Sequence, residues 1–178
     1  MKIVAIVQAR MGSTRLPGKV MMKINHTPMI ELLFNRLSGS KLIDQIVLAT
    51  SDNYNDLPLV KHIESLNYKV FAGNESDVLN RYFFAASKFK ADIIVRITGD
   101  CPLIDCVLVD EVIKGFIDSG ADYASNRKPP SFPDGLDVEV ISIGALGEAY
   151  NNAKEIFQRE HVTPYIIDSK SYKIEIII

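Results

Sequence analysis

Twelve residues near the amino terminus, Gln8-Ala9-Arg10-Met11-Gly12-Ser13-Thr14-Arg15-Leu16-Pro17-Gly18-Lys19, carry the densest chemistry in the chain. Three cations, two hydroxyls and two glycines stand there, directly behind the apolar run Lys2 to Val7. Glycine lets backbone amides approach an anion closely, and successive amides form a concavity that binds phosphate. Arg10 and Arg15 can fork hydrogen bonds onto phosphate oxygens, and Lys19 adds a mobile point charge. The loop therefore suits a polyphosphate. A solvated surface turn could carry the same cations, but its place after the first strand argues against that. Two other phosphate loops are excluded. A P-loop needs four residues between its glycine and a Gly-Lys pair, then Ser or Thr. Here five residues separate Gly12 from Gly18, and Val20 follows Lys19. The dinucleotide pattern Gly-x-Gly-x-x-Gly does not follow the strand either.

A second loop, Arg96-Ile97-Thr98-Gly99-Asp100-Cys101-Pro102-Leu103-Ile104-Asp105, ends another apolar strand. A carboxylate beside phosphates commonly holds Mg²⁺, because the metal neutralises charge that would otherwise repel both. Asp100 is the expected metal ligand. Asp105 fits a helix cap better. Arg96, a cation within a strand, needs either a buried partner or a ligand contact.

The elements that must position these loops alternate between strand and helix. Strands are expected at Lys2 to Val7, Gln45 to Ala49, Tyr68 to Phe71 and Ile93 to Ile97. Helical spacing of apolar residues marks 29–37, about 56–66, and a helix capped by Asp77 that buries Val78, Tyr82, Ala85, Ala86 and Phe89. Another buries Val109, Val112, Ile113, Phe116 and Ile117. The stretch from Ala124 to Leu136 reads as a loop, because three prolines in five residues cannot supply strand amides. A strand over 137–143, a helix over 145–153 and a strand over 172–178 complete the pattern. Near-continuous apolar strands separated by helices imply an α/β fold, a mostly parallel sheet covered on both faces. Ligands in such folds bind beyond the carboxyl ends of the strands, so the loops 8–19 and 98–105 should converge.

The 178 residues suit one domain, and a net charge of −2 gives no field that attracts nucleic acid or an anionic membrane. The first strand is too short for a signal-peptide core, and no apolar run reaches bilayer-spanning length. Cys101 and Cys106 with three scattered histidines give no zinc spacing, so reduced thiols in a cytoplasmic protein are expected.

These segments resemble the cytidylyltransferase family of CMP-Kdo synthetases, CMP-acylneuraminate synthetases and the spore-coat polysaccharide protein F group, most of all the last. The resemblance rests on Gln8 to Lys19, Asp77-Val-Leu-Asn-Arg81, Arg96 to Asp105 and Arg159-Glu-His-Val-Thr-Pro-Tyr-Ile166. It implies a three-layer α/β/α nucleotide-diphospho-sugar transferase (Rossmann-like) fold and transfer of CMP from CTP to a sugar or sugar acid in surface polysaccharide biosynthesis. A sugar hydroxyl would attack the α-phosphorus and pyrophosphate would leave. Gln8, Ala9 and Arg10 would line the base and phosphate pocket, and Arg10, Ser13, Arg15 and Lys19 would hold the triphosphate. Gly12, Thr98 and Gly99 would complete the nucleotide site, with Asp100 on Mg²⁺ and Arg10, Lys19 and Asp100 as the catalytic groups. Asp77 and Arg81 fall where the family shapes its nucleotide and sugar pocket; a helix cap and an exposed helical arginine are the alternatives. Asn126, Arg127, Asp137 and Glu139 would reach the sugar, the last two from one face of a strand. Relatives pair after the Pro-rich loop, which implies a homodimer. The family also places an acidic metal-binding segment further on, whereas this sequence ends at Ile178. Truncation, replacement by Asp137 and Glu139, or impaired activity would each account for that. Two rivals remain open: a sugar-1-phosphate nucleotidyltransferase using UTP or a purine triphosphate, and a nucleotide-binding module without turnover.

Overall fold

The computed structural model describes residues 1–13, 15–127, 129 and 131–178. Thr14, one of the two hydroxyls assigned to the first loop, and Lys128 and Pro130 of the Pro-rich segment lie outside the described residues. Among the described residues, seven strands form one sheet in the order β5-β4-β1-β6-β8-β7-β9. Strands β1 (Ile3–Gln8), β4 (Gln45–Ser51), β5 (Lys69–Gly73) and β6 (Ile93–Thr98) are parallel, with Gln8 level with both Ala49 and Thr98. Strand β8 (Glu139–Ser142) runs antiparallel to β6 and to β7 (Tyr123–Ser125), and β7 pairs in parallel with β9 (Ile174–Ile176).

The period-two alternation of strand side chains divides the core into two layers. Ile3, Ala5 and Val7 of β1 face one side, where they meet helices α1 (Met29–Leu37), α2 (Leu57–Ser65) and α4 (Cys106–Ser119). Val4 and Ile6 face the other, against α3 (Val78–Lys88) and α5 (Ile143–Asn152). Both faces of the central strands are therefore dry, which is why their sequences read as near-continuous apolar runs. The expected three-layer α/β architecture is the one found.

Ile117, expected in the buried stripe of α4, is 39% exposed; the elements that differ from expectation are mostly too short to show a period. Residues 124 and 125, expected in a loop, belong to β7, where Tyr123, Ala124 and Ser125 are all buried between β8 and β9. Asp137 precedes β8 rather than lying within it. Two helices after residue 153, α6 (Ile156–His161) and α7 (Pro164–Asp168), had no periodic signal because they span six and five residues. A small hairpin pairs β2 (Lys23–Ile24) with β3 (Thr27–Pro28) across Asn25 and His26. Both turn residues have positive φ, 47° and 72°, as a two-residue hairpin requires.

Phe34 is fully buried on α1 and meets Tyr68 edge to face at 4.8 Å. Phe34→Ala is expected to cost about 3–5 kcal/mol of unfolding free energy in a urea titration. A loss below about 1 kcal/mol would mean that this layer is not packed as described.

Candidate nucleotide-binding site

The first loop leaves β1 at Gln8 and is pinned at several points. The Ala9 amide donates to Ala49 O (3.3 Å), which carries the pairing with β4 one residue further. The Met11 amide donates to Asp56 Oδ1 at 2.7 Å. Asp56 is buried, and its other oxygen accepts from Thr50 Oγ1, the Ser51 amide and Ser51 Oγ. The loop then turns back on itself: the amides of Ser13 and Gly18 both donate to Met11 O, at 2.9 and 2.8 Å. Gly18 has φ +72°, a conformation that few other residues tolerate, and it launches the 3₁₀ turn Lys19–Met21.

From the other side, the loop after β6 presses directly on the first. The Gly99 amide donates to Gln8 O at 2.7 Å. A Cβ at Gly99 would stand 2.6 Å from Ala9 Cβ and 2.9 Å from Gln8 O, so only glycine fits the contact. With the two backbones this close, Lys19 Nζ reaches Asp100 Oδ2 at 2.9 Å. Half-burial alone would raise the Asp100 carboxyl's pKa. Hydrogen bonds from Lys19 and Thr98 and the Lys19 charge outweigh that, and the carboxyl sits below its ordinary value. Asp105 caps α4, accepting from the amides of Val107 (2.8 Å) and Leu108 (3.0 Å).

Beside this junction lies a buried charge network. Arg96 and Glu139 are register partners on β6 and β8, and their side chains pair directly. Glu139 is 2 % exposed and also accepts from Tyr123 Oη (2.7 Å) and Thr163 Oγ1 (2.8 Å). Burial would push its carboxyl up, but Arg96, then Arg127 and the two hydroxyls, more than offset this and hold it low. Arg127 bridges outward, 3.3 Å from Asp137 Oδ2 and 3.6 Å from Glu139 Oε2. Arg96 therefore resolves to a buried pair. Its Nη2 also points at Gln8 Oε1, 3.5 Å away.

Thr163 is delivered to the network by a strained turn. Val162 has φ 71° and ψ −57°, and the Thr163 amide donates to His161 O at 2.8 Å, which together form a γ-turn. A β-branched residue in that conformation costs about 1–3 kcal/mol. Complete burial of Val162 and the Thr163–Glu139 bond hold it there.

Two cavities flank the loops. The larger, about 860 Å³, is bounded by Arg15, Asp100, Arg127, Glu139, His161 and Thr163. The smaller, about 510 Å³, is bounded by Arg10, Asp52, Asn74, Glu75 and Ser76. The structure thus brings Lys19, Asp100, Gln8, Ala9 and Gly99 together, with Thr98 beside them, and places Arg10 on one flank and Arg15 on the other. Ser13 Oγ accepts from the Leu16 amide at 3.3 Å, and Gly12 lies under Glu75. Three other candidates are tied up in the framework. Asp77 caps α3 through the Asn80 amide and receives a forked contact from Arg159 at 2.5–3.1 Å. Arg81, expected as an exposed helical residue if not a ligand contact, is 1 % exposed and donates to the carbonyls of Asn74 (2.7 Å) and Glu75 (3.3 Å). Burial, with Arg10 nearby, lowers its pKa. The Asn126 amide spans the Pro-rich segment, bonding Leu136 O and the Val138 amide. Sequence reasoning gave no role to Tyr123, Thr163 or Glu75. Only Thr163 had a signal, within the segment 159–166.

The sequence pattern of the cytidylyltransferase family matches residues 4–175. Among similar proteins, an uncharacterised protein of Methanocaldococcus jannaschii is 43% identical over 95% of this chain and 68% of its own length. The spore coat polysaccharide biosynthesis protein SpsF of Bacillus subtilis is 37% identical over 92% of this chain and 69% of its own. Among solved structures, a cytidylyltransferase from Leptospira borgpetersenii superposes with TM-score 0.95 at 32% identity, covering 99% of this chain and 76% of that one. A CMP:2-keto-3-deoxy-manno-octonic acid synthetase complexed with CTP shares the fold at TM-score 0.79 and 18% identity, covering 99% and 89%. The chain belongs to the cytidylyltransferase family, and it spans about two thirds of the length of the two relatives. Among the described residues, no helix is long and apolar enough to cross a membrane.

Because the native Glu139 carboxyl is held low, the unfolded chain takes up its proton first. Its contribution to stability is complete above the ordinary unfolded glutamate value and is lost as pH falls through the lower native one. Glu139→Gln, which leaves Arg96 buried without its counter-charge, is expected to cost about 3–5 kcal/mol at pH 7. It should also flatten part of the acid-induced loss seen by urea unfolding between pH 7 and 3. Equal stability and equal pH slopes in both proteins would contradict the network.

Proposed function

We propose that this chain transfers CMP from CTP to a hydroxyl of a sugar or sugar acid, releasing pyrophosphate, in surface polysaccharide biosynthesis. One observation carries the reading: Lys19 and Asp100, from two different strand ends, meet at 2.9 Å beside a loop that also carries Arg10 and Arg15. Membership of the cytidylyltransferase family supports it, as do the polysaccharide role in SpsF's name and the CTP held by the octonic acid synthetase of the same fold.

The triphosphate would lie along residues 9–19, with Arg10, Ser13, Arg15 and Lys19 on its oxygens and Gln8, Ala9, Gly12, Thr98 and Gly99 lining the nucleotide. The acceptor would take the larger cavity, facing Arg127 and Asp137, with Glu139 and Asn126 bracing that wall from beneath. Asp77 and Arg81 would act by holding α3 and the loop before it. Such transfer depends on positioning and on charge placed where the transition state develops it. Lys19, handed from Asp100 to a phosphate oxygen, would supply that charge.

Among the described residues, no group of three or more His, Cys, Asp or Glu side chains could hold a metal alone. Asp100, half exposed at the junction, gives one carboxylate. That donor set fits Mg²⁺, which takes one or two carboxylates and completes its shell with phosphate oxygens and water. Bound there, Mg²⁺ would neutralise triphosphate charge and make the acceptor hydroxyl more acidic. The proposal extends to a homodimer working in the cytoplasm, where Cys101 and Cys106 stay free thiols.

Pyrophosphate release with CTP, Mg²⁺ and a panel of sugar acids tests the reading. Lys19→Ala and Asp100→Asn should each lower the rate at least about a hundredfold while remaining folded. CTP should raise the melting temperature more than UTP or purine triphosphates do. Wild-type rates in either folded variant would refute the assignment.

A further inference from the structure

The turn between α6 and α7 holds two successive residues in backbone conformations that neither favours. Val162, β-branched, has φ 71° and ψ −57°. Thr163 has φ −92° and ψ −16°, in the α region, although Pro164 follows it and the position before proline favours extended backbone. Such conformations persist only where their surroundings over-determine them, and they collect at functional sites. Here the turn is anchored on both sides. Arg159 on α6 forks onto Asp77 and donates to Tyr150 O at 2.7 Å, while Val162 is fully buried.

What the turn delivers is one hydroxyl. Thr163 stands at the N-cap of α7, where a threonine side chain ordinarily accepts from a helix amide, yet it makes no such bond. Its Oγ1 donates instead to Glu139 Oε1 at 2.8 Å, beside Tyr123 Oη at 2.7 Å. Two hydroxyls on Oε1 fix the rotation of the carboxylate and leave Oε2 to the guanidinium groups of Arg96 and Arg127. Arg96 is buried, whereas the Arg127 side chain is 43% exposed and bounds the larger cavity. Thr163 is 2% exposed, so it works through Glu139 rather than on a ligand.

We propose that Thr163 is a positioning residue: by fixing the Glu139 carboxylate it aims Arg127 at the acceptor, and the strained turn at Val162 brings its hydroxyl there. The inference rests on the reading that the acceptor takes the larger cavity, and adds what keeps that wall in shape. Arg127 turns Nε to Asp137 and Nη1 to Glu139, which leaves Nη2 for a ligand oxygen. A long side chain already held at two points loses less freedom when it binds. Without the Thr163 hydroxyl, Oε1 keeps one donor, the carboxylate can turn, and Arg127 loses its second tether.

Steady-state pyrophosphate release, with the sugar acid turned over fastest in the panel, tests this on the wild type, Thr163→Val, Thr163→Ser and Tyr123→Phe. Thr163→Val keeps the side chain's shape and removes the hydroxyl. It should raise KM for the sugar acid about tenfold, the worth of one hydrogen bond to a charged group, and leave KM for CTP within about twofold. Thr163→Ser, which keeps the hydroxyl, should recover most of the loss. Tyr123→Phe, which strips the other hydroxyl from Oε1, should repeat it. A second readout needs no acceptor: the Arg127 Nε–H cross-peak in a heteronuclear NMR spectrum, assigned by its loss in Arg127→Lys. That cross-peak should shift or broaden in Thr163→Val and return in Thr163→Ser. Tyr123→Phe carries both comparisons if Thr163→Val fails to fold, as judged by its melting temperature. An unmoved cross-peak, an unchanged KM for the sugar acid, or equal rises in both KM values would overturn the inference. A wild type that turns over no sugar acid would instead sink the proposed function, and the cross-peak alone would then decide whether Thr163 holds Arg127.

Discussion

Lys19 and Asp100 are 81 positions apart, and their contact depends on a backbone approach that only glycine permits. The Gly99 amide meets Gln8 O at 2.7 Å because β1 and β6 are sheet neighbours that end level with one another. Everything placed around the site inherits that alignment. The first loop, residues 8–19, is held on one side by the buried carboxylate of Asp56 and on the other by the turn after β6. A loop fixed at both flanks can keep its shape, and the positions of Arg10, Arg15 and Lys19, before any ligand arrives. Such preorganisation lowers the cost of reorganising dipoles at the moment of reaction.

The network under the larger cavity follows a different logic. Arg96 and Glu139 are buried on adjacent strands, and a pair this dry offers little net stability over apolar packing. It does fix geometry. Glu139 gathers Tyr123 from β7, Thr163 from the strained turn and Arg127 from the loop after β7, while Arg96 touches Gln8 at the start of the first loop. Three antiparallel or edge segments are thereby tied to the parallel core. The wall of the cavity and the end of β1 are two ends of one hydrogen-bonded chain.

The parts of this fold legible in the sequence are those whose burial pattern repeats. β1, β4 and β6 have both faces covered, and their residues are mostly apolar, Arg96 being the one charge among them. The helices α1 and α4 show one buried stripe each; the limits of α1 could be read closely, and four of the five residues assigned to the stripe of α4 are buried. β7, α6 and α7 could not, since three to six residues complete less than two periods. The loops 8–19 and 96–105 stood out because cations, glycines and a carboxylate are crowded into them, and the structure brings the two into contact. Asp77, Arg81 and Asn126 stood out for type, yet they hold framework contacts that only the tertiary arrangement reveals. Glu75 was invisible for the converse reason. A lone glutamate in a polar turn carries no pattern, and its place beside Gly12 depends on strand order.

The most direct measurement is a crystal structure with Mg²⁺ and a CTP analogue carrying a methylene bridge between its α- and β-phosphorus atoms. The triphosphate should lie along residues 9–19, with Lys19 drawn from Asp100 onto a phosphate oxygen and the metal beside Asp100. Phosphates bound elsewhere, over an undisturbed Lys19–Asp100 pair, would contradict the account.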